Sequence, residues 1–177
     1  FFGFYVTYTT GNPWLGLLAA ILIGAIMGFA MAFISVTLKA EQGISGIGLY
    51  LFGLGASELL FEQTLGTIRT VSGFQPINIP VLSSIPVVGE IFFRHNLMVY
   101  GAFLLVPITW FFLNKTTWGL NLKSVGQNPA AADAMGVSVN KVRYIAVMIG
   151  GILAGVAGAS LSIALLNVYQ QNLTFGI

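Results

Sequence analysis

Residues 14–38 read WLGLLAAILIGAIMGFAMAFISVTL and contain no charged side chain. A helix needs about 20 consecutive, mostly apolar residues to cross the ~30 Å hydrocarbon core of a bilayer. This run is longer than that, and it has no polar stripe that would allow one helix face to remain in water. The run therefore predicts a transmembrane helix.

Three further apolar runs meet the same criterion. Residues 44–60 contain a single charged residue, Glu58, whereas residues 97–113 and 144–166 contain none. Each run approaches or exceeds the length that a membrane-spanning helix requires. We therefore predict an all-α fold, a polytopic transmembrane helix bundle with about four spans.

The composition of the chain excludes a soluble domain. Hydrophobic residues make up 56% and charged residues only 7% of the chain, and the mean hydropathy is +0.90. A globular chain in water carries about 25% charged residues. The formal net charge of +2 is too small and too dispersed for a nucleic-acid surface. The chain has no cysteine, which excludes disulfides and thiolate metal sites, and we expect residues 1–177 to form a single transmembrane domain.

The positions of lysine and arginine predict the orientation, because short cytoplasmic loops carry an excess of both. The connection over residues 114–143 holds four basic residues against one acid, Asp133, and Lys39 follows the first span. We therefore expect the 114–143 loop to be cytoplasmic. The connection over residues 61–96 has balanced charges and an apolar segment broken by prolines, and we expect it to form the outer loop.

Few residues in the predicted spans suit catalysis. Glu58 and Glu62 lie one helical turn apart near the outer end of the second span, where we interpret them as a hydrated rim. No Asp, Glu or second His lies near His95 in the sequence at metal-ligand spacing, so we expect no metal site. The chain also lacks a G-x-x-x-x-G-K-[ST] phosphate loop. We therefore expect no enzyme and no cofactor in this chain, and any ATP that drives it must be hydrolysed by another chain.

Small residues recur at helical spacing in two of the predicted spans. Gly24 and Gly28 lie four residues apart in the first span, and Gly151 and Gly155 do so in the last. Such stripes let helix backbones approach closely in a membrane. We interpret them as packing within one bundle rather than as a dimer face.

The polar stretch SVGQNPAAADAMGVSV, residues 124–139, predicts a short helix between the third and fourth spans. Asn128 is a good N-cap, Pro129 suits the first helical position, and Gly136 suits the left-handed position that follows a helix. We expect Asp133 in the first turn, where a negative charge favours the helix dipole. A helix of about two turns is marginal by itself, so its own bundle or a partner must hold it.

Three stretches, taken in order, carry a family resemblance. AADAMG, residues 131–136, matches the A-A-x-x-x-G part of the EAA loop of ATP-binding-cassette importer permeases. The wider run WGLNLKSVGQNPAAADAMGVSVNKVRYIAVMIGGILAGVAGASLS resembles the permease branch that serves simple sugars and nucleosides. VTLKAEQGISGIGLYLFGLG, residues 36–55, and IPVLSSIPVVGEIFF, residues 79–93, resemble further segments of that branch. The chain resembles an internal piece of such a permease.

The resemblance implies that residues 114–143 form a coupling loop, whose short helix docks into a cleft on a nucleotide-binding ATPase subunit. Ala130 stands where the loop's name-giving glutamate would be, which implies that a salt bridge to the ATPase is missing there. The loop positions that match the family pattern are Gly126, Gln127, Asn128, Pro129, Ala131, Ala132, Asp133 and Gly136.

The same resemblance implies a multi-pass permease subunit in the prokaryotic plasma (inner) membrane, with ATP and Mg²⁺ on the partner ATPase. The other implied partners are a second permease subunit, in a homo- or heterodimer, an extracytoplasmic substrate-binding protein, and membrane lipid. The implied function is import of a nucleoside or simple sugar by alternating access, in which the docked helix moves packed spans as rigid bodies.

Gln42, Ser45 and Ser57 are candidates for the solute path, because neutral hydrogen-bonding groups suit an uncharged, hydroxyl-rich solute. Capping the start of the second span would explain Gln42 and Ser45 equally well. Two other functions remain open. One is a branched-chain amino-acid permease of the same superfamily, and the other is a secondary carrier or channel in which the short helix is merely interfacial.

Overall fold

Helices form most of the fold, and the computed structural model describes residues 1–67, 69–74, 76–78 and 94–169. Two of the long helices change from α-helix to π-helix before they end. The described helices are α1 (Phe2–Thr10), α2 (Pro13–Ala32, then π-helix over Phe33–Thr37), α3 (Gln42–Thr64), α4 (Leu97–Lys115), α5 (Thr117–Gln127), α6 (Pro129–Ala134) and α7 (Val139–Ala159, then π-helix over Ser160–Leu165).

Four of these helices are long and apolar enough to cross a membrane, which confirms the predicted fold class. Helix α3 extends beyond the predicted span 44–60 at both ends, and α7 begins before residue 144. The helices are longer than the apolar runs because backbone hydrogen bonding continues into polar residues outside the hydrocarbon. The four candidate spans are Pro13–Thr37, Gln42–Thr64, Leu97–Lys115 and Val139–Leu165.

The described part of the predicted outer loop contains a short antiparallel ribbon. Strand β1 (Pro76–Asn78) pairs with strand β2 (Arg94–Asn96), and Ile77 lies opposite His95. The sequence did not predict these strands, which are too short to show an alternating pattern. The proline-broken segment, residues 79–93, lies outside the described residues.

The segment before Asn12 folds as α1 and packs against the start of α2. Helix α1 ends at Gly11, whose φ of 68° is left-handed, and the Asn12 side chain then accepts a hydrogen bond from the Trp14 backbone N–H at 3.0 Å. The hydroxyl of Thr7 is buried, donates to the carbonyl of Gly3 at 2.9 Å, and faces Gly16 of α2, where a built Cβ would lie 1.9 Å from its oxygen. The tight turn therefore brings α1 back along α2 as an antiparallel neighbour.

Helices α2 and α7 meet through their glycines. A Cβ atom built at Gly24 would lie 2.5 Å from the carbonyl oxygen of Gly151, and one built at Gly28 would lie 3.2 Å from the Gly151 Cα. Such separations leave room only for hydrogen atoms between the two backbones. The predicted packing of the glycine stripes within one bundle is therefore what the structure shows.

Helices α3 and α4 lie apart from the α2–α7 pair. Only Phe61 is buried in α3, and no residue is buried in α4. Large apolar side chains on both helices are more than half exposed, such as Leu51 at 59% and Val106 at 70%. In water this surface would drive association, whereas lipid tails cover it without cost. The splayed arrangement therefore fits a membrane environment.

Candidate functional site

Helix α6 has both of the ends that the sequence predicted. The Asn128 side chain accepts a hydrogen bond from the Ala131 backbone N–H at 3.1 Å, and Pro129 occupies the first helical position. Gly136 has a left-handed φ of 83°, and its N–H donates to the Asp133 carbonyl at 2.9 Å. The helix spans six residues, and the groups that cap its two ends are local to it.

The prediction for the position of Asp133 was wrong. The first turn of α6 contains no acidic residue, and Asp133 is the next-to-last residue of the helix. The helix is shorter than the predicted two turns, so a residue expected near its positive end lies near its negative end instead. The carboxylate therefore gains nothing from the helix dipole, and it lies on the exposed surface of α6.

One side chain anchors α6 to the rest of the chain. Ala132 is only 5% exposed and packs with Val125 of α5 and Val142 of α7 in a small apolar cluster. Partly buried Val137 and Val139 pack around this cluster. Because α6 contacts both neighbours through Ala132, displacement of α6 must also displace the start of α7.

The rest of the predicted coupling residues form an exposed surface around this anchor. Met135, which the sequence analysis did not select, is 85% exposed at the end of α6. The sequence could have indicated the exposure of Met135, because an apolar side chain directly before a helix-ending glycine projects from the turn. The exposed predicted residues are Gly126, Gln127, Asn128, Pro129, Ala131, Asp133 and Gly136.

A cleft of about 680 Å³ lies between α2, α3 and α7, and the start of α1 closes part of it. Met27 and Met31 of α2 extend toward glycines of α3. The Met27 Cε atom would lie 3.7 Å from a Cβ built at Gly53, and the Met31 Cε atom 3.9 Å from one built at Gly46. Flexible methionine side chains therefore bridge the α2–α3 side of the cleft, in contrast to the direct backbone contact between α2 and α7.

Of the three predicted path residues, only Ser57 lines this cleft. Its hydroxyl donates to the Leu54 carbonyl of its own helix at 2.9 Å, which leaves the oxygen lone pairs for a further donor. Ser45 donates to the Glu41 carbonyl at 2.7 Å, and Gln42 is an exposed residue at the first position of α3. Tyr50 also lines the cleft and was not selected, because an aromatic residue in a span has no distinguishing pattern.

Among the described residues, no group of three or more His, Cys, Asp or Glu side chains could hold a metal ion. Glu58 and Glu62 are exposed near the end of α3. Among the residues that the structure describes, the side chains that line the cleft include no Asp, Glu, Lys, Arg or His. The cleft can therefore offer apolar surface and neutral hydroxyl groups, and it has no acid or base of these types for catalysis.

Known proteins similar to this chain are named as transport permeases. Residues 1–177 match the family described as the permease component of the branched-chain amino acid transport system. A putative glucose ABC transporter permease protein of Haloferax volcanii is 42% identical over 178 aligned positions, which cover 98% of this chain and 54% of that protein. No solved structure matches the chain.

Two further relatives are bacterial nucleoside permeases. The guanosine ABC transporter permease protein NupQ of Bacillus subtilis is 40% identical, with 82% of this chain and 47% of that protein covered. The nucleoside ABC transporter permease protein NupC of Lactococcus lactis is 38% identical, with 84% and 48% covered. The chain spans about half the length of the curated relatives it matches.

The fold and these similarities define a multi-pass integral protein of the inner membrane. The chain belongs to the permease family of the branched-chain amino acid transport system, whose named relatives here include sugar and nucleoside permeases. These relatives are transport subunits rather than enzymes, as the sequence predicted for this chain.

Proposed function

We propose that this chain is part of the membrane-spanning subunit of an ATP-driven importer, and that a separate ATPase subunit, which binds ATP and Mg²⁺, contacts helix α6. The observation that most directly supports this proposal is the construction of α6. It has defined ends, a single buried anchor at Ala132, and an exposed apolar tip at Met135.

In the proposed mechanism, closure of the ATPase moves α6, and α6 moves the start of α7 through the contact between Ala132 and Val142. Helix α2 follows α7, because their backbones touch at Gly24 and Gly151. Helix α3 need not follow, since methionine side chains bridge it to α2 and can change rotamer. The cleft would then open and close between α3 and the α2–α7 pair, which is a rigid-body form of alternating access.

We propose that the solute is a nucleoside or a simple sugar. Ser57 and Tyr50 are among the described side chains that line the cleft, and none of these side chains carries a carboxylate, ammonium, guanidinium or imidazole group. An uncharged solute needs no buried countercharge, whereas the ammonium and carboxylate groups of an amino acid would. The glucose and nucleoside named for the relatives are both uncharged. A branched-chain amino acid is the second candidate, because the family description names it.

The complete assembly would also contain a second permease subunit, an extracytoplasmic substrate-binding protein and surrounding lipid. The relatives are named as ABC transporter permeases, which supports a partner ATPase. The exposed apolar faces of α3 and α4 supply surface for lipid or for further helices. Each of these partners is a proposal for this chain.

The test is ATP-dependent uptake by the complete transporter in proteoliposomes, with radiolabelled guanosine, glucose and leucine as probes. Uptake of guanosine or glucose that requires hydrolysable ATP would support the proposal. Uptake of leucine alone would show that the solute is an amino acid and not a nucleoside or sugar. Uptake driven by an ion gradient without ATP would overturn the ATP-driven mechanism.

A further inference from the structure

The cleft of about 680 Å³ between α2, α3 and α7, a usual volume for a small-molecule site, is polar at one end and apolar at the other. In the described part of the chain, the lining residues that carry a hydroxyl group are Tyr50, Ser57, Ser162 and Tyr169, and the others are apolar or glycine. Ser57 lies near the end of α3, and Ser162 and Tyr169 lie at or beyond the end of α7. These three are therefore at the end of the cleft opposite α6, whereas the lining residues nearer α6 are apolar.

Tyr169 is a buried residue whose hydroxyl remains open to this cleft. The residue is only 8% exposed, and its ring packs against the rings of Phe4 and Phe61 at centroid distances of 5.9 and 5.5 Å. Its hydroxyl forms no hydrogen bond with any residue that the structure describes. The fully enclosed oxygens without a partner include the Tyr100 hydroxyl but not that of Tyr169, so the Tyr169 oxygen retains accessible area. Because Tyr169 lines the cleft, a bound solute can supply the missing hydrogen-bond partner.

Ser57 lies close to Tyr169 through a shared neighbour. Ser57 and Phe61 are one turn apart on α3, so their side chains lie on the same helix face, and the Phe61 ring contacts the ring of Tyr169. The Ser57 hydroxyl donates to the Leu54 carbonyl and keeps its oxygen lone pairs for another donor. A phenol can both donate and accept. The polar end of the cleft therefore offers neutral hydrogen-bonding groups that suit the hydroxyls of a solute.

Farther toward α6, the cleft has an aromatic ring on its α3 wall and exposed backbone on its α7 wall. Tyr50 lines the α3 wall and is 50% exposed. On α7, Gly150, Ala154 and Gly158 recur at every fourth residue and line the cleft. A Cβ atom built at Gly150 or Gly158 would have no neighbour within 4 Å, in contrast to Gly151, which contacts α2. The α7 wall is therefore smooth and open, and a planar ring can lie against it.

We infer that the cleft binds a nucleoside lengthwise, with its ribose toward Tyr169 and Ser57 and its base between Tyr50 and the smooth wall of α7. Tyr50 and Ser57 are seven residues apart on one face of α3, a rise of about 10 Å, which the base and ribose of one molecule bridge. Bases stack on aromatic rings. A simple sugar carries hydroxyls on all sides and would leave some of them unpaired against the apolar walls. The inference rests on the proposed function and deepens it, because it selects a nucleoside over a simple sugar.

The test is protection of a thiol introduced by Gly150→Cys in the complete transporter, reconstituted in proteoliposomes. Residues 1–177 contain no cysteine, and a Cβ at Gly150 meets open space, so the side chain fits within the cleft. Methyl methanethiosulfonate, a small uncharged reagent, modifies the thiol, and mass spectrometry of the peptide that contains residue 150 gives the rate. We expect guanosine to slow the modification, glucose to require at least a ten-fold higher concentration, and leucine to have no effect.

Two tyrosine substitutions test the two ends of the bound nucleoside separately. Tyr169→Phe removes only the hydroxyl, and we expect it to raise the half-protecting guanosine concentration about ten-fold, the effect of one unmade hydrogen bond. For 2′,3′-dideoxyguanosine the same substitution should have little effect, because changes to two groups in contact do not add. Tyr50→Leu should raise the guanosine value about ten-fold, whereas Tyr50→Phe, which keeps the ring for stacking, should not.

Two matched controls lie outside the cleft. Tyr8→Phe removes a hydroxyl from a tyrosine that is 39% exposed and does not line the cleft, so it should leave the half-protecting concentration unchanged. Gly48→Cys places a thiol where a Cβ also meets open space, on the part of α3 that does not line the cleft. Guanosine should not protect this second thiol.

The outcomes separate this inference from the function on which it rests. If the transporter imports guanosine with ATP but guanosine does not protect the thiol of Gly150→Cys, or the reagent cannot reach that thiol, the inference is overturned and the proposed function stands. Import of glucose without guanosine, or equal protection by both, would have the same result. If the transporter imports neither solute, the proposed function itself fails. The amount of assembled complex and its basal ATPase activity show whether each variant has folded.

Discussion

Gly24 of α2 faces Gly151 of α7 so closely that a methyl group on either residue would lie 2.5 Å from the carbonyl oxygen of the other. The contact is reciprocal, and neither backbone can withdraw without separating the two helices. At the end of the same pair that adjoins α6, the hydroxyls of Thr37 and Tyr144 are hydrogen-bonded to each other. This close pairing is the physical basis for treating α2 and α7 as one moving unit.

We expect Gly151→Ala to destabilise the protein by about 1–3 kcal/mol, the usual cost of forcing a methyl group into a packed contact. Its Cβ would lie 2.5 Å from the Gly24 oxygen and 2.7 Å from the Gly28 Cα. The measurement is the thermal midpoint of the purified protein in detergent. Gly150→Ala is the matched control, because a Cβ there has nothing within 4 Å. An equal loss of stability in both variants would contradict the close pairing of α2 and α7.

We expect Gly136→Ala to uncouple ATP hydrolysis from uptake with little loss of membrane insertion. Space is available, since a Cβ at Gly136 has no neighbour within 4 Å, but its φ of 83° is left-handed. A residue with a Cβ atom costs roughly 1–2 kcal/mol in that conformation, so the end of α6 would rearrange. Uptake per ATP hydrolysed is the measurement. Gly101→Ala, which also meets open space but lies within α4, should behave as the unchanged protein.

We expect Met135→Glu to abolish co-purification with the ATPase subunit and leave the thermal midpoint unchanged. Met135 is 85% exposed, so its replacement removes no contact within the chain and acts only on a partner. Pull-down of the ATPase from solubilised membranes is the measurement. Leu120→Glu is the control, because Leu120 is also exposed, at 67%, but lies on α5. Retention of the ATPase by the Met135 variant would remove this residue from the proposed interface.

We expect a covalent link between α2 and α3 to stop uptake, and a link between α2 and α7 to leave it intact. Residues 1–177 contain no cysteine, so within this part of the chain only the introduced thiols react. Met27→Cys with Gly53→Cys places thiols across the cleft, and Thr37→Cys with Tyr144→Cys places them within the α2–α7 pair. A short bifunctional thiol reagent is applied to each pair before uptake is measured. If the first link were tolerated and the second were inhibitory, α2 would have to move with α3 instead.

Local features of the sequence predicted the short helix well. Asn128, Pro129 and Gly136 act within a few residues of themselves, and each occupies its predicted position in α6. The predicted position of Asp133 in the first turn was wrong, because the number of turns in so short a helix depends on its contacts with the neighbouring helices. The sequence could not select Ala132 as the anchor, since several alanines in α6 have the same composition and only contact with Val125 and Val142 distinguishes one.

The predicted solute path also shows the difference between what local sequence features predict and what depends on tertiary contacts. Gln42, Ser45 and Ser57 were selected because they are polar in an apolar segment, yet only Ser57 lies on the face of α3 that lines the cleft. The polarity of a residue shows that it is unsuited to contact with lipid tails. It does not show which face of a helix contacts another helix. The hydrogen bond from the Asn96 side chain to the Ala164 carbonyl was missed for the same reason, because the two residues lie far apart in the chain.

The sequence by itself determined that the chain crosses a membrane, about where its spans lie, and that a capped helix interrupts them. Hydropathy, capping and glycine spacing act over one helix length, and each can be seen in a short window. Tertiary structure alone decided that Gly24 meets Gly151, that methionines bridge α2 and α3, and that the Asn96 side chain contacts the Ala164 carbonyl. The partners in these contacts are far apart in sequence, as Thr37 and Tyr144 are at 107 positions, so only the packing of whole helices brings them together.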